Sequence, residues 1–115
     1  MKYYTGEIVK VSFPSAESEG HEIFGERPCL ILVPFNSLKT SIVIPLSKGS
    51  LKKYSYLTIE VESKDNNGNV YKSFAQCHQI RSISHRRIQS NIGTLSEKSL
   101  PLLKFTLIDI LDLDI

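Results

Sequence analysis

PCLILV, residues 28–33, is the stretch around which the fold is organised: a proline followed by five consecutive apolar residues. A short continuous apolar run of this kind is typical of a strand that is buried on both faces. The polar stretch GHEIFGERP, residues 20–28, precedes it with two glycines, and FNSLK, residues 35–39, follows it as a turn. The sequence therefore predicts a central strand that enters the core directly from a charged loop.

Further strands are predicted on both sides of this run, because each has β-branched or alternating apolar residues. They cover GEIVKVSF at 6–13, TSIVIPL at 40–46, YLTIEVE at 56–62, VYKSFAQ with CHQIRSI at 70–83 as one long or two bent strands, and IQSNIG at 88–93. Pro45 indicates an edge position or a bulge, since proline cannot donate to a ladder. Residues 65–69, DNNGN, predict a hairpin, because Asn-Gly favours positive φ.

The only helical pattern lies in SEKSLPLLKFTLIDILDL, residues 96–113. Its leucines recur at three- and four-residue spacing at Leu100, Leu103, Leu107 and Leu111. Proline is tolerated only in the first helical turn, so Pro101 predicts Ser99 as the N-cap after a short turn at 95–98. The sequence thus predicts one domain, residues 1–115, that is mostly β with minor α: a small barrel of short antiparallel strands closed by a C-terminal helix. Two-layer α+β packing is the alternative.

The composition excludes several classes of protein. Hydrophobic residues make up 41% and charged residues 23% of the 115, an ordinary globular composition. The longest apolar runs are far shorter than the roughly 18–20 residues that cross a bilayer, and the N-terminus has no signal-type segment, so a cytoplasmic location away from membranes is expected. Cys29 and Cys77 are expected to be buried apolar residues rather than a disulfide or a metal pair. Neither a metal nor a cofactor is predicted.

Charge is segregated along the chain although the net charge is only +2. No acidic residue lies between Arg27 and Leu57, and RSISHRR, residues 81–87, forms a second basic cluster. Acidic residues collect in the 17–26 loop and at the C-terminal end. This segregation indicates a basic face that can meet phosphate, with two solvated faces as the alternative.

Four segments in this order resemble the MazF/PemK family of toxin ribonucleases: GEIVKVSFP, GERPCLIL, IPLSKG, and CHQIRSISHRRI followed by IGTLS. The resemblance covers nearly the whole chain. It implies an SH3-like barrel that forms a homodimer, with an RNA groove across the dimer face. It also implies sequence-selective, metal-independent cleavage of single-stranded RNA, and restraint by an antitoxin whose disordered tail folds over that groove. A contact with DNA through the antitoxin complex stays open.

The resemblance also assigns site residues. The arginine of the arginine-proline step maps onto Arg27, and the threonine that ends the next strand maps onto Ser47, where most relatives have threonine. The histidine of the PemK branch maps onto His21. Where that branch has an arginine and a functional aspartate, this chain has Gln76 and His78. The expected RNA-binding residues are Glu22, Lys48, Lys52, Lys53, Tyr54, His78 and Gln79.

These residue types suit RNA cleavage by the neighbouring 2′-hydroxyl. A guanidinium is always charged and can give two hydrogen bonds to a phosphorane; the alternative for Arg27 is a surface ion pair with Glu22 or Glu26. The Ser47 hydroxyl can donate to the same phosphate, unless it is an ordinary strand-end serine. Histidines titrate near neutral pH and can transfer protons.

Lysines and tyrosines around 48–56 match the mixture that single-stranded nucleic acid favours, or form a solvated loop. Two other classes of function stay open. One is a non-catalytic toxin on the same fold that binds DNA gyrase, as CcdB toxins do. The other is an inactive SH3-like binding module.

Overall fold

The computed structural model describes residues 1–14, 25–48 and 57–113. The elements in these ranges are seven strands and one α-helix: β1 Glu7–Phe13, β2 Gly25–Phe35, β3 Thr40–Ser47, β4 Thr58–Asp65, β5 Val70–Gln76, β6 Arg81–Ser84, β7 Ile88–Leu95 and α1 Ser99–Ile110. Three single 3₁₀ turns, Asn36–Leu38, Cys77–Gln79 and His85–Arg87, connect strands. Every predicted strand is present, and the 70–83 segment forms two strands rather than one.

The strands close into an antiparallel ring. Neighbours around it are β2, β1, β7, β4, β5 and β3, and a further pairing of β2 with β3 closes the circuit. The short strand β6 adds to β3 outside the ring. Closure removes the unpaired edges that an open sheet would present. The prediction of a mostly β barrel with a C-terminal helix is confirmed.

Strand β2 lies in the core on both faces, as the apolar run predicted. Cys29, Leu30 and Ile31 are all 0% exposed. Because side chains alternate along a strand, Leu30 packs with Leu103 and Leu107 of α1, whereas Cys29 and Ile31 join a second cluster. That second cluster also contains Val11, Phe13, Val43 and Ile83. The strand therefore separates the two hydrophobic clusters.

Pro45 occupies a gap in the pairing of β3 rather than an edge strand. On one side β3 pairs with β2, including Pro45 opposite Cys29. On its other side β6 pairs only up to Val43, and β5 begins at Leu46. Pro45 therefore lies where no neighbour needs its missing N–H. The 3₁₀ turn Cys77–Gln79 joins β5 to β6 beside this gap.

The predicted hairpin joins β4 to β5. Gly68 has φ +85°, which favours glycine, and its N–H donates to the Asp65 carbonyl at 3.0 Å. Asp65 Oδ1 accepts from the backbone N–H groups of Asn67 and Asn69, each at 2.9 Å. The Asn69 hydrogen bond is the main reason why the pKa of Asp65 lies below its ordinary value. The turn is thus held by its own carboxylate.

The helix begins one residue earlier than its predicted cap implies. Lys98 is the N-cap and Ser99 is the first helical residue, so the prediction of Ser99 as N-cap is wrong. The Ser99 hydroxyl instead accepts a hydrogen bond from the Glu62 backbone N–H at 3.0 Å, which ties α1 to β4. Of the predicted leucine stripe, Leu103 and Leu107 are buried, whereas Leu111 lies past the helix end and is 44% exposed.

The two cysteines are free and buried, as predicted. Burial raises the pKa of the Cys29 thiol to about 12 and that of Cys77 to about 11. Both thiols are therefore protonated at neutral pH and act as small apolar side chains. None of the helices in the described ranges combines the length and apolar character that crossing a membrane requires.

Candidate functional site

Arg27 is an exposed residue near the start of β2, two positions before the first buried residue of the strand, Cys29. It pairs with Val11 of β1. Since side chains alternate along a strand, Arg27 shares a face with Cys29 and the second hydrophobic cluster. The Arg27 side chain therefore leaves a paired strand on the face of that cluster.

Glu26, the nearest acidic residue in the chain, is turned away from Arg27. Glu26 Oε2 lies 3.2 Å from Lys10 Nζ, and Oε1 accepts from Gln89 Nε2 at 3.3 Å. The hydrogen bond from Lys10 is the main cause that holds the pKa of this carboxyl below its ordinary value. Glu26 therefore pairs with Lys10 rather than with Arg27, whereas the alternative ion pair with Glu22 lies outside the described residues.

Ser47 lies at the end of β3 that is nearest to Arg27. The last pair of the β2–β3 ladder is Cys29 with Pro45, and Arg27 and Ser47 are each two residues beyond it. On its other side Ser47 pairs with Phe74 of β5. Ser47 is half-buried, and Lys48, which follows it, is exposed. The two residues that the sequence names as a catalytic pair thus stand at the same end of one strand pair.

His78 and Gln79 lie beside β3, further from its end than Ser47 is. They belong to the 3₁₀ turn that lies between the Leu46–Ala75 pair and the Val43–Arg81 pair. His78 is exposed and Gln79 is half-buried. The turn therefore places them on the β3 side that is opposite β2.

Arg81 is a candidate that the sequence prediction missed. Its guanidinium carbon lies 4.9 Å from the centre of the Phe13 ring, within the range of a cation–π contact. Phe13 shares a face with Val11, the partner of Arg27, and the Arg81 charge also acts on Cys29. The sequence contained a signal for it: Arg81 is two residues before the apolar Ile83 on one strand, so the two share a face, and Ile83 is buried. Arg86 and Arg87, the other arginines of the cluster, lie in the turn after that strand. Two arginines thus lie on one face.

A pocket of about 490 Å³ opens beside Ser47 at one mouth of the barrel. Its lining comes from β2, β3, β5, β7 and the β4–β5 hairpin: Pro28, Leu46, Ser47, Lys48, Asp65, Asn69, Tyr71, Lys72, Ser73 and Ile92. Pro28 turns towards this mouth, whereas Arg27 lies on the opposite face of the strand, the face of the second hydrophobic cluster, because the two residues are consecutive in a strand. Ser47 and Lys48 line the pocket on the side that is nearest to Arg27 and form its rim.

Five of the predicted site residues lie outside the described ranges: His21, Glu22, Lys52, Lys53 and Tyr54. They stay predictions. The described ranges thus hold Arg27 on β2, Ser47 at the end of β3, Lys48 directly after it, and His78 and Gln79 in the turn next to β3.

The family model described as "PemK-like, MazF-like toxin of type II toxin-antitoxin system" matches residues 4–111. This match covers nearly the whole chain. The chain belongs to the PemK/MazF toxin family. The resemblance that the sequence motifs carried is confirmed, and this toxin shares its fold with solved members. No curated protein sequence matches it significantly.

Three solved structures illustrate the shared fold. A MazF structure from Deinococcus radiodurans has a TM-score of 0.73 at 23% identity, covering 95% of this chain and 96% of that one. The Mycobacterium tuberculosis toxin MazF-mt6 has a TM-score of 0.68 at 18% identity, covering 95% and 99%. An endoribonuclease in complex with its cognate antitoxin, from a mycobacterial species, has a TM-score of 0.70 at 13% identity, covering 99% of both chains. At these identities the likeness shows the fold of this PemK/MazF toxin.

Proposed function

We propose that this PemK/MazF toxin is an endoribonuclease that cleaves single-stranded RNA, messenger RNA above all, in a sequence-selective manner without a metal ion. The observation that carries the proposal is the placement of Arg27 and Ser47 at the same end of the β2–β3 pair, each two residues beyond Cys29–Pro45. A permanent cation and a hydroxyl donor at the same end of two adjacent strands suit the binding of a single phosphate.

In this mechanism the 2′-hydroxyl of the RNA attacks the adjacent phosphorus, and the 5′-oxygen of the next nucleotide leaves. The products are a cyclic phosphate and a free 5′-hydroxyl. Arg27 and Ser47 donate hydrogen bonds to the phosphorane, whose charge exceeds that of the ground state, so they stabilise the transition state more than the substrate. His21 is the proposed proton-transfer residue.

The surroundings of Arg27 support this role. Glu26 is engaged by Lys10 and Gln89, so it does not compensate the Arg27 charge. Arg81 adds a second cation on the same face through its contact with Phe13. A face with two arginines attracts the RNA backbone, and this attraction weakens as salt rises.

The proposed partners follow from the family. A homodimer forms the groove, Glu22, Lys48, Lys52, Lys53, Tyr54, His78 and Gln79 line the RNA path, and a cognate antitoxin covers it with a tail that orders on binding. A structural neighbour was solved as an endoribonuclease with its cognate antitoxin, which supports this arrangement. The proposed site of action is the cytoplasm, where messenger RNA is exposed.

The test is purified protein with a long RNA in EDTA, followed by mapping of the ends. The proposal expects discrete cuts with cyclic phosphate and 5′-hydroxyl termini. Protein carrying Arg27→Ala and purified in parallel controls for contaminating ribonuclease. RNA that stays intact across varied sequences would overturn the proposal. Inhibition of DNA gyrase with intact RNA would instead indicate the CcdB-like alternative, and neither effect would indicate a binding module.

A further inference from the structure

The pocket at the mouth of the barrel combines apolar walls with polar groups in its lining and at its rim. Pro28, Leu46 and Ile92 supply apolar surface from three strands. Its volume of about 490 Å³ falls within the usual range of small-molecule pockets, roughly 300–1,000 Å³. Apolar walls with a few polar groups are suited to a ligand with an apolar body and hydrogen-bonding groups at its edge.

Ser73 is a buried polar residue in the lining of this mouth pocket. It is only 3% exposed, and its Oγ has no hydrogen-bond partner within the part of the chain that the structure describes. A buried hydroxyl without a partner destabilises a fold, so native structures contain few of them. A ligand group that reached Ser73 Oγ would satisfy a hydroxyl that the described fold leaves unpaired.

Tyr71 stands two residues from Ser73 on the same face of β5 and also lines the pocket. It is half-buried, and burial raises the pKa of its phenol above the ordinary value. The phenol therefore stays protonated at neutral pH and can donate a hydrogen bond. Its ring adds a flat face on which an aromatic ligand can stack.

The rim of the pocket leads to the candidate cleavage site. Ser47 and Lys48 stand at the rim, and Lys72 lies across from them on β5. Lys72 is exposed and lies 3.6 Å from Glu60, a solvent-screened pair that leaves its ammonium accessible to phosphate. A strand of RNA bound at Ser47 can therefore turn one base inward while its backbone stays near the lysines.

We infer that the mouth pocket binds one unpaired nucleobase of the RNA, with the Ser73 and Tyr71 hydroxyls pairing with its polar edge. This inference rests on the proposed function. The observations favour a base over an apolar side chain of a protein partner, because an aliphatic group would leave Ser73 Oγ unpaired. Bases that are splayed out of a single strand are read in this manner, by stacking and by hydrogen bonds to their edges.

The first test needs no cleavage. The four ribonucleosides are titrated separately, at millimolar concentration, into the ¹⁵N-labelled protein, and amide shifts are followed by NMR. At least one nucleoside is expected to shift Tyr71, Ser73 and Ile92, and N-acetyl-leucinamide is expected to shift none of them. Ser73→Ala and Tyr71→Phe should each weaken the binding about fivefold, the effect of one lost neutral hydrogen bond. Ser90→Ala, an exposed serine on β7, is the matched control and should leave it unchanged.

Thermal unfolding separates a binding role from a structural one. Ser73→Ala removes a hydroxyl that has no partner within the described ranges, so the variant should unfold at the same temperature as the parent or higher. A clear loss of stability would show that Ser73 serves the fold, which would overturn its assignment to the base.

The second test uses the ends of cleaved RNA. Ser73→Ala should relax the base preference at one position beside the cut while total cleavage continues, whereas Arg27→Ala should lower the cleavage rate by about 10²–10³ and keep nucleoside binding. Cleavage by a protein whose pocket binds no nucleoside would overturn the base pocket and keep the ribonuclease. Nucleoside binding without cleavage would overturn the ribonuclease and keep the pocket. Shifts with N-acetyl-leucinamide alone would indicate a protein side chain as the occupant and overturn the inference.

Discussion

Arg27 and Ser47 lie equally far beyond the same ladder position, the Cys29–Pro45 pair, on two adjacent strands. Cys29 is 0% exposed and Pro45 is among the fully buried side chains, so the ladder position itself is rigid. The spacing between the two candidate catalytic groups is therefore set by core packing rather than by a loop. Placement of this kind preserves reactive geometry without an ordering step on substrate binding.

Arg27→Ala is expected to lower the rate of RNA cleavage by about 10²–10³, the usual effect of removing one preorganised donor to a developing negative charge. Arg27→Lys should recover only part of the activity, because an ammonium cannot give two parallel hydrogen bonds to a phosphate. The measurement is single-turnover cleavage of a labelled RNA. Lys64→Ala removes an exposed cation from β4 and serves as the control. Equal rates for Arg27→Ala and the parent would remove Arg27 from the site.

Ser47→Ala is expected to slow cleavage at least about tenfold, because a hydrogen bond to a charged group is lost. Ser47→Thr should match or exceed the parent rate, since the added methyl group restricts χ1 and keeps the hydroxyl in place. The same single-turnover assay measures both. Ser37→Ala, in the exposed part of the 3₁₀ turn Asn36–Leu38, is the control. If Ser47→Ala cleaved at the parent rate, Ser47 would be an ordinary strand-end serine.

The sequence was sufficient for the fold wherever the signal is local. The apolar run at 28–33 identified the buried strand β2, and the Asn-Gly step identified the β4–β5 hairpin. The helix start was mispredicted by one residue because the Ser99 hydroxyl does not cap the helix. It accepts a hydrogen bond from the Glu62 backbone N–H of β4 instead. Side-chain caps can be inferred from sequence only when no long-range partner competes for the same oxygen.

The candidate site was predictable to a lesser extent. Arg27 and Ser47 stood out through the family motifs, but Arg81 joins their face only because β6 pairs with β3 and carries its guanidinium over Phe13. The orphan hydroxyl of Ser73 likewise depends on strand pairing across the barrel. Both features arise from contacts between residues far apart in sequence, which residue patterns alone do not specify.

Gly93→Ala is expected to destabilise the barrel by about 1–3 kcal/mol, as overpacking of a buried position does. A Cβ at this position would lie 2.3 Å from the Lys64 carbonyl oxygen, where β7 meets β4. The atoms that the new Cβ would meet belong to the backbone of β4, so the clash is relieved only if β7 and β4 move apart. Urea denaturation measures the change, with Ser90→Ala on the same strand as control. An unchanged urea midpoint would contradict the prediction, because β7 could then move away from β4 without loss of stability.

Asn36→Ala is expected to lower the free energy of unfolding by about 1–2 kcal/mol, the sum of two modest hydrogen bonds. The Asn36 side chain accepts from the Tyr3 N–H at 2.8 Å and donates to the Tyr3 carbonyl at 2.9 Å, which ties the N-terminal segment to the turn after β2. Asn36→Asp keeps the acceptor alone and should cause a loss of its own by placing a carboxylate against the carbonyl. Urea denaturation is the assay. Ser37→Ala is the neighbouring control, and equal stability of Asn36→Ala and this control would contradict the prediction.

His85 is expected to make the fold less stable as the pH falls from about 7 to 5. Its Nε2 lies 2.7 Å from the Oγ of Ser41, which is 0% exposed, and its ring meets Tyr3 edge-on at 4.5 Å. Burial lowers the pKa of His85 below its ordinary value of 6.5, although a hydrogen bond with the Thr40 backbone opposes the shift. The unfolded chain therefore takes up a proton at a higher pH than the folded chain. Stability is complete above the unfolded pKa and falls as the pH drops towards the folded pKa.

The measurement is the urea midpoint at a series of pH values between 5 and 7.5. His85→Gln keeps a neutral hydrogen-bonding group beside Ser41 and should flatten the dependence on pH in this window. Ser37→Ala replaces an exposed residue that does not titrate and should leave the slope of the parent intact. If His85→Gln kept the parent slope, another titrating group would cause the dependence of stability on pH. Protonation of His85 would then not weaken its contact with Ser41.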